Sequence, residues 1–472
     1  MVFSSTTFLL YFLPIFLLVY QWLPSNRLKN TWFLVSSIFF YAWGAPKFVF
    51  ILLASTIVDF FLVRSLHASQ SEPRRKLFLI LSITLNLGLL AYFKYANFFV
   101  ENIQQLFIKL GLGSFEWMEV LLPIGISFYT FQTLTYSIDI YRRKATPLKN
   151  PADYLLYIMM FPQLIAGPIV RFNQIAEQLT NRKIITHEQL QGLFRFSLGL
   201  FKKVIIANTL GSVIDPYFSN ISELNTGMAW VVIFGYAFQI YYDFSGYSDM
   251  AIGIGKMAGF KFPENFNSPY VSSSITEFWK RWHMTLGSWM RDYLYIPLGG
   301  NRVSSNSRLY FNLCFVFLIS GLWHGASWNF ILWGIFHGIF LVLDRLFLLK
   351  FLEALPKPIS VLITFLVVSL GWVIFRIEEL PSAMMFYQKL FNFSSFEIFN
   401  IGGGACIAFM LSVIIGFSSL TSVGKKVELF LLKDHKNFTL VLLKTVSALA
   451  ICWVCLIEIT TSSFNPFIYF RF

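Results

Sequence analysis

The sequence predicts an all-α polytopic membrane protein, and three observations carry that prediction. Hydrophobic residues make up 56% of the 472 residues, aromatic residues 19% and charged residues only 13%, which is far outside the composition of soluble domains. Apolar runs recur along the whole chain, and basic residues are concentrated in the short connections between them. We therefore expect about twelve helical spans with shorter re-entrant segments, in one integral membrane domain over residues 1–472.

Five apolar runs are long enough, or nearly so, to cross about 30 Å of hydrocarbon as helices. They cover residues 8–23, 77–91, 228–242, 399–420 and 438–457. The first run has no Lys or Arg before Arg27 and no cleavage site made of small residues. It is therefore predicted to be a retained span and not a signal peptide.

The chain is basic, with 37 Lys and Arg against 24 Asp and Glu. The loops 64–76 and 142–149 carry many of these cations, whereas connections such as 101–119 are poor in them. Positive charge in short loops marks the cytoplasmic side. We therefore expect both loops to be cytoplasmic and both termini to lie outside, so the partner of the excess charge is the lipid bilayer and not nucleic acid.

The four cysteines lie in apolar surroundings and have no spacing typical of a zinc site. They are predicted to be packing residues, and no metal site is expected. Two aspartates, Asp243 and Asp249, follow the apolar run 228–242. We predict structural roles for them, in a local turn or hydrogen-bond network with Ser245, Gly246 and Ser248.

Residues 275–293 have the apolar spacing of one amphipathic helix. Its other face is charged and contains Glu277, Lys280, Arg281, Arg291 and Asp292. Such a helix, rich in tryptophan, lies across a membrane surface or lines a polar opening. A surface helix that only anchors the fold is the alternative, but the presence of His283 favours a site.

The stretch SGLWHGASWNF, residues 320–330, places His324 among apolar and small residues. The preceding run 309–322 would rise only about 21 Å as a helix and would not cross alone, so His324 is expected at membrane depth. An ionisable residue there is a functional candidate. The alternative is a neutral histidine that serves packing, and His337, on the far side of the next helix, is predicted to be one.

Four stretches together resemble the membrane-bound O-acyltransferases, in particular the bacterial alginate and peptidoglycan O-acetylation proteins and, more distantly, the teichoic acid D-alanyl-transfer proteins. They are FPQLIAGPIVR (161–171), YYDFSGYSDMAIGIGKMAGFKFPENFNSPY (241–270), EFWKRWHMTLGSWMRDYLYIPLGGNR (277–302) and GLWHGASWNFILWGIFHG (321–338). They cover a core of about residues 160–340, and the C-terminal NPFIYFRF also fits.

The resemblance implies a helical bundle with an interior tunnel, in which His324 is the catalytic histidine and His283 the second characteristic position. An imidazole is suited to accept the proton of a hydroxyl that attacks a thioester at neutral pH. The residues expected to line or support the tunnel are Trp323, Trp328, Arg281, Trp282 and Asp292.

The resemblance also implies an activity. The chain is expected to be an acyltransferase of the bacterial inner membrane that holds no bound cofactor and takes acetyl groups from acetyl-CoA. The acceptor is a cell-surface polysaccharide, alginate-like or peptidoglycan, reached through an extracytoplasmic partner protein. Two alternatives stay open: a carrier-bound donor, as in the D-alanyl branch, and a transporter or export component without acyl-transfer chemistry.

Overall fold

The computed structural model describes residues 1–393, 395, 396, 401–462, 464–466 and 468. Across these residues the regular elements are helices and no strand occurs, so the predicted all-α class is confirmed. Phe399, where one predicted span begins, lies outside the described residues, as do positions 467 and 469–472 of the C-terminal motif.

The contacts divide the chain into two compact units. Unit 1 comprises Met1–Gln189 and Ile254–Phe262, and unit 2 comprises Leu190–Gly253 and Pro263–Phe472. One integral membrane domain over residues 1–472 stays a prediction.

Unit 1 contains eight helices before residue 186. They are α1 Thr7–Trp22, α2 Asn26–Gly44, α3 Phe48–Ala68, α4 Glu72–Lys109, α5 Ile126–Tyr141, α6 Pro151–Met159, α7 Phe161–Leu164 and α8 Phe172–Thr180. Phe161, fully buried at the start of α7, is surrounded by five phenylalanines of α1 and α2 with ring centroids 5.1 to 6.2 Å away. The four-residue helix α7 is thereby fixed against α1 and α2.

A polar network lies among the longer helices of unit 1. The buried carboxylate of Asp59 in α3 accepts hydrogen bonds from Ser82, Asn86 and Tyr154, and Ser82 also bonds Ser137 in α5. Because a buried carboxylate is costly without donors, these bonds tie α3 to α4, α5 and α6 in one relative arrangement.

The two basic loops predicted to be cytoplasmic lie at the same end of unit 1. Arg75, in the first turn of α4, is buried; its Nη2 donates to the carbonyl of Tyr141 at 2.8 Å, and its guanidinium lies 5.3 Å from the centre of that ring. Tyr141 is the last residue of α5 and directly precedes the loop 142–149. The predicted topology, with both loops cytoplasmic, requires them to lie on the same side of the membrane.

We expect single cysteines at Ser71 and at Thr146 to be protected from an impermeant thiol reagent added outside intact cells, because short basic loops stay cytoplasmic. A cysteine at Ser114, in the connection after α4, should be labelled. The measurement compares labelling of intact and permeabilised cells, each in a background from which the four native cysteines have been removed. Labelling of either basic loop from outside would contradict the orientation.

Unit 2 contains most of the remaining helices, with α9 belonging to it from Leu190 and α10 up to Gly253. They are α9 Thr186–Ser219, α10 Thr226–Met257, α11 Ile275–Arg281, α12 Met284–Met290, α13 Asn306–His324, α14 Trp328–Glu353, α15 Lys357–Arg376, α16 Leu380–Phe391, α17 Gly403–Leu420, α18 Ser422–Leu432 and α19 Phe438–Thr461. Short 3₁₀ turns at Ile221–Glu223 and Pro269–Val271 join some of them.

Seven of the described helices are long and apolar enough to cross a membrane: α3, α4, α9, α14, α15, α17 and α19. The predicted runs 77–91 and 438–457 lie within α4 and α19, and the described part of 399–420 contains α17. The runs 8–23 and 228–242 form α1, which is short, and part of the 32-residue α10, which is not among the seven. The chain is a multi-pass membrane protein, and about twelve spans stay a prediction.

Helices α9 and α10 pack closely and carry paired charges. A Cβ on Gly199 would lie 2.4 Å from the carbonyl oxygen of Gly246, so only glycine allows this approach. Asp243 pairs with Lys203 at 2.6 Å, and Asp249 pairs with both Arg195 and Lys202 at 2.7 Å. These ion pairs support structural roles for the two aspartates. The alternative of a local turn is wrong, because α10 continues through them.

Helices α13 and α14 form a hairpin with a three-residue turn. A Cβ on Gly321 would lie 2.2 Å from the Phe330 oxygen, and one on Gly334 would lie 2.4 Å from the Phe317 oxygen. The predicted 309–322 run is too short: α13 has 19 residues, because Ser305 caps it by accepting from the Arg308 N–H. At about 28 Å its length approaches the hydrocarbon thickness, but it is not among the seven helices that are apolar enough to cross, and it ends at His324.

Candidate active site

The segment 275–293 is not the single helix that its apolar spacing predicts. Helix α11 ends at Arg281, Trp282 is extended, and His283 adopts the left-handed conformation with φ 43° and ψ 53° before α12 begins. A non-glycine residue pays about 1–3 kcal/mol for such backbone geometry, which persists only where surrounding contacts hold it. The interruption therefore needs a local cause.

The cause is a loop segment at 265–267. Asn267 donates its N–H to the Arg281 carbonyl at 3.0 Å, and Met284 donates its N–H to the Asn265 carbonyl at 2.9 Å. These two bonds pair the loop with the chain on both sides of Trp282 and His283. Because the Met284 N–H is bonded to the loop and not to a carbonyl of α11, helix α11 does not continue. A new helix, α12, begins at Met284.

Helix α11 is fixed at its beginning as well. The Ser274 hydroxyl accepts from the Glu277 N–H, which caps the helix. The buried carboxylate of Asp344, on α14, accepts from the N–H and the hydroxyl of Thr276, both at 2.7 Å. A carboxylate at a helix N-terminus is favoured by the exposed N–H groups there. Contacts at the start of α11 and the loop bonds at its end therefore both fix the helix that precedes His283.

His283 is 1% exposed and is bonded on one side of its ring. Its Nδ1 lies 3.0 Å from the side-chain oxygen of Asn265, and Phe244 packs edge-on against the imidazole with centroids 4.7 Å apart. Burial lowers the pKa of His283 to about 3, because the charged form loses its hydration. The imidazole is therefore neutral throughout the physiological pH range.

A cavity of about 420 Å³ opens beside His283. It is formed by α11, by α12 with the turn of π-helix Arg291–Tyr295 that continues it, and by α13. Its walls are mostly apolar, as at Leu286 and Phe317, and it also contains Ser288 and the largely exposed cations Lys280 and Arg291. This combination accommodates an apolar arm that ends in anionic groups.

His324 lies at the end of α13, 5% exposed, in an aromatic cage. Its ring contacts Trp323, Trp333 and Phe375 with centroids 4.9, 5.1 and 5.3 Å away. The Trp323 indole also contacts the imidazole of His283, at 6.0 Å. The two histidines predicted to be catalytic are therefore neighbours, separated by one indole.

His337 lies nearer to this cluster than predicted. It was expected on the far side of its helix, but its ring contacts Trp333 at 5.0 Å, on the same indole that His324 contacts. The difference arises because Trp333 is large enough to reach both rings. The Trp279 indole N–H donates to Nδ1 of His337 at 3.4 Å, which is a long hydrogen bond within a buried aromatic layer.

The other predicted site residues divide into two groups. Trp323 and Trp282 are buried; Trp282 lies in the aromatic core, 4.9 Å from Trp372. Arg281 pairs with Glu277 and also donates to the Asn267 carbonyl, so it braces the loop beside the break. The remaining two are farther out: Asp292 pairs with Arg291 at 2.7 Å, and Trp328 is 54% exposed.

Several residues of the site were missed in the sequence. Asn265 lies within hydrogen-bond distance of the His283 ring and is itself bonded by Thr285, and Trp333 and Phe375 pack against the ring of His324. Asn265 lies within the quoted stretch 241–270, but no role was predicted for it there. Asn265 and His283 are 18 residues apart in the sequence, so no local sequence pattern predicts their contact.

The model of the membrane-bound O-acyltransferase family matches residues 75–375. The chain is 43% identical over 399 residues to a probable alginate O-acetylase, AlgI, of Pseudomonas aeruginosa, covering 84% of this chain and 76% of that protein. It is 36% identical to a peptidoglycan O-acetyltransferase of Helicobacter pylori, over 100% of this chain and 98% of that protein.

A more distant similarity links the chain to a teichoic acid D-alanyltransferase of Streptococcus thermophilus, at 31% identity over 53% of this chain and 68% of that protein. The resemblance drawn from the four motifs is therefore confirmed, including its order of branches. The same matches favour acyl-transfer chemistry over an export component without it.

Proposed function

Because the chain belongs to the membrane-bound O-acyltransferase family, we propose that it moves acetyl groups from a cytoplasmic donor across the bacterial inner membrane for O-acetylation of a cell-surface polysaccharide. The observation that carries the proposal is the pair of buried imidazoles, His283 and His324, on either side of Trp323 beside a cavity. The relatives named for alginate and peptidoglycan define the class of acceptor.

The chemistry assigns one role to each imidazole. His324 takes the proton of the acceptor hydroxyl as its oxygen attacks the thioester carbonyl carbon; the thiolate then leaves and takes up a proton. His283, neutral because of its burial, holds a substrate O–H or N–H group at Nε2, which has no hydrogen-bond partner among the described residues. Because water is excluded from a closed site, the thioester reacts with the bound hydroxyl and is rarely hydrolysed by water.

The donor proposed is acetyl-CoA, and the cavity supports it by its shape and charge. The apolar walls suit the extended arm of the donor, while Lys280 and Arg291 suit its phosphates. The acceptor approaches from the opposite side through an interior tunnel, so that the hydrophilic donor does not have to cross the bilayer. Transfer onto the polymer is proposed to proceed through an extracytoplasmic partner protein.

We expect proteoliposomes containing the full chain to release free thiol from acetyl-CoA faster than protein-free vesicles. Release should increase when mannuronate oligomers or peptidoglycan fragments are added together with the extracytoplasmic partner protein, because a better nucleophile than water then reaches the site. The measurement is thiol appearance, with D-alanine thioester and palmitoyl-CoA as comparison donors. Thiol release no faster than the blank for every donor and acceptor would contradict acyl transfer, and preference for the D-alanine thioester would change the donor.

A further inference from the structure

Asn265 is the polar centre of the wall behind His283. It is buried, with 1% exposure, and every polar group of its side chain is engaged. The side-chain oxygen accepts from the Thr285 hydroxyl at 2.8 Å and lies 3.4 Å from the Thr285 N–H, while Nδ2 donates to Ser248 on α10 at 3.0 Å. Its backbone carbonyl meanwhile accepts from the Met284 N–H.

These bonds fix which end of the amide faces His283. A backbone N–H such as that of Thr285 is only a donor, so the atom it reaches has to be the oxygen of Asn265 and not the nitrogen. The same oxygen lies 3.0 Å from Nδ1 of His283. Because an amide oxygen only accepts, Nδ1 has to carry the hydrogen.

The opposite ring nitrogen then carries the lone pair. His283 is among the residues that line the 420 Å³ cavity, and in the part of the chain that the structure describes its Nε2 is buried without a hydrogen-bond partner. A buried, unmatched acceptor costs free energy, about 1–3 kcal/mol. A ligand that donates to it recovers that cost.

We infer that Asn265 is a positioning residue, which holds the imidazole of His283 in the tautomer with hydrogen on Nδ1 and presents the Nε2 lone pair to a substrate donor in the cavity. The inference rests on the proposed function. It also requires that the ligand of the cavity place an O–H or N–H group next to Nε2 of His283. The amides of a pantetheine arm or an acceptor hydroxyl would supply such a group.

The left-handed backbone of His283 fits this role. Without the loop bonds from Asn265 and Asn267, helix α11 would continue into α12, and the ring would leave its position against Phe244. Asn265 therefore has two separate roles. Its backbone carbonyl helps to interrupt the helix, and its side-chain oxygen sets the tautomer of His283. Only the second is changed by substituting the side chain.

We expect Asn265→Ala to lower catalysed thiol release at least tenfold, but by less than the roughly 10² to 10⁴ that removal of a general base costs. Asn30→Ala is the matched control: Asn30 is also a buried asparagine, it donates to the Leu179 carbonyl at 2.8 Å in unit 1, and its loss should leave the rate per folded molecule unchanged. Retained full activity in Asn265→Ala would overturn the inference.

The Asn265→Asp variant supplies a readout that a merely structural role would not move. The carboxylate still accepts from Nδ1, but it raises the pKa of His283 by favouring the charged ring. The activity of the variant should then fall as the pH is lowered through the raised pKa of His283. In the wild type the pKa of His283 is about 3, so protonation of His283 causes no such fall near neutral pH. The other titratable side chains lining the cavity are Lys280, Arg291 and Tyr295, which are common to both proteins.

Nitrogen-15 NMR of histidine-labelled protein tests the tautomer directly. The chain has 6 histidines, and the signals of His283 are identified by their loss in His283→Gln. A protonated Nδ1 in the wild type and a changed tautomer in Asn265→Ala are the expected results; a protonated Nε2 in the wild type overturns the inference. If His283→Ala and His324→Ala also keep thiol release, the proposed function fails instead.

Discussion

His324→Ala is expected to lower acetyl transfer by about 10² to 10⁴, the range that a positioned general base contributes. The residue lies at the end of α13 in a cage of Trp323, Trp333 and Phe375. Replacing the imidazole by a methyl group leaves no group there that takes up the hydroxyl proton. The rate is measured as thiol release from acetyl-CoA by equal amounts of folded protein in proteoliposomes.

The matched control is His337→Ala. His337 is buried against the same Trp333 and, within the described part of the chain, its ring accepts a hydrogen bond from the Trp279 indole alone, so its loss should lower the melting temperature and keep most of the rate. Equal rates in His324→Ala and wild type would contradict the catalytic assignment. Equal losses in the two variants would instead indicate that the aromatic layer, and not proton transfer, sets the rate.

Elements determined by local chemistry were predictable. The apolar runs predicted the helical membrane class and located helices α4, α17 and α19, because length and hydropathy largely decide whether a segment is stable as a helix in lipid. Helix boundaries were less accurate. Helix α13 gains a turn at its start from the Ser305 cap, which the apolar run 309–322 does not contain.

The two candidate histidines could be identified from the sequence, and their catalytic roles stay a prediction; the geometry around them could not be predicted. His324 and His283 were found from their settings and from the family motifs, and the structure places both against Trp323. The break between α11 and α12 was not, because the apolar spacing of 275–293 is the same whether the helix is continuous or interrupted. The loop bonds from Asn265 and Asn267 decide between the two, and they depend on the tertiary fold.

Charged residues within apolar helices were the hardest to interpret. Asp243 was expected to take part in local bonds, but its partner is Lys203, on the neighbouring helix. The described C-terminal residues complete the cluster: Lys203 also donates to the Pro466 carbonyl, and Asp243 accepts from the Ile468 N–H at 2.8 Å. Two residues of NPFIYFRF thus contact the ion pair between α9 and α10.

Lys203→Met is expected to destabilise the protein by about 3–5 kcal/mol, because it leaves the carboxylate of Asp243 buried without its cation. The two side chains are 3% and 2% exposed and their charged atoms are 2.6 Å apart, so water does not replace the lost partner. The melting temperature in detergent should therefore fall by several degrees. The double variant Lys203→Met with Asp243→Leu should recover most of the loss, since replacing both members of a buried pair by apolar groups is often neutral.

The same variants separate a structural from a catalytic role for this pair. If the pair only holds α9, α10 and the C-terminal segment together, the stable double variant should transfer acetyl groups at nearly the wild-type rate per folded molecule. If Asp243 takes part in proton transfer, the double variant should recover its melting temperature and remain inactive. A single Lys203→Met variant as stable as the wild type would contradict the pairing itself, because no described group near Asp243 supplies a second cation.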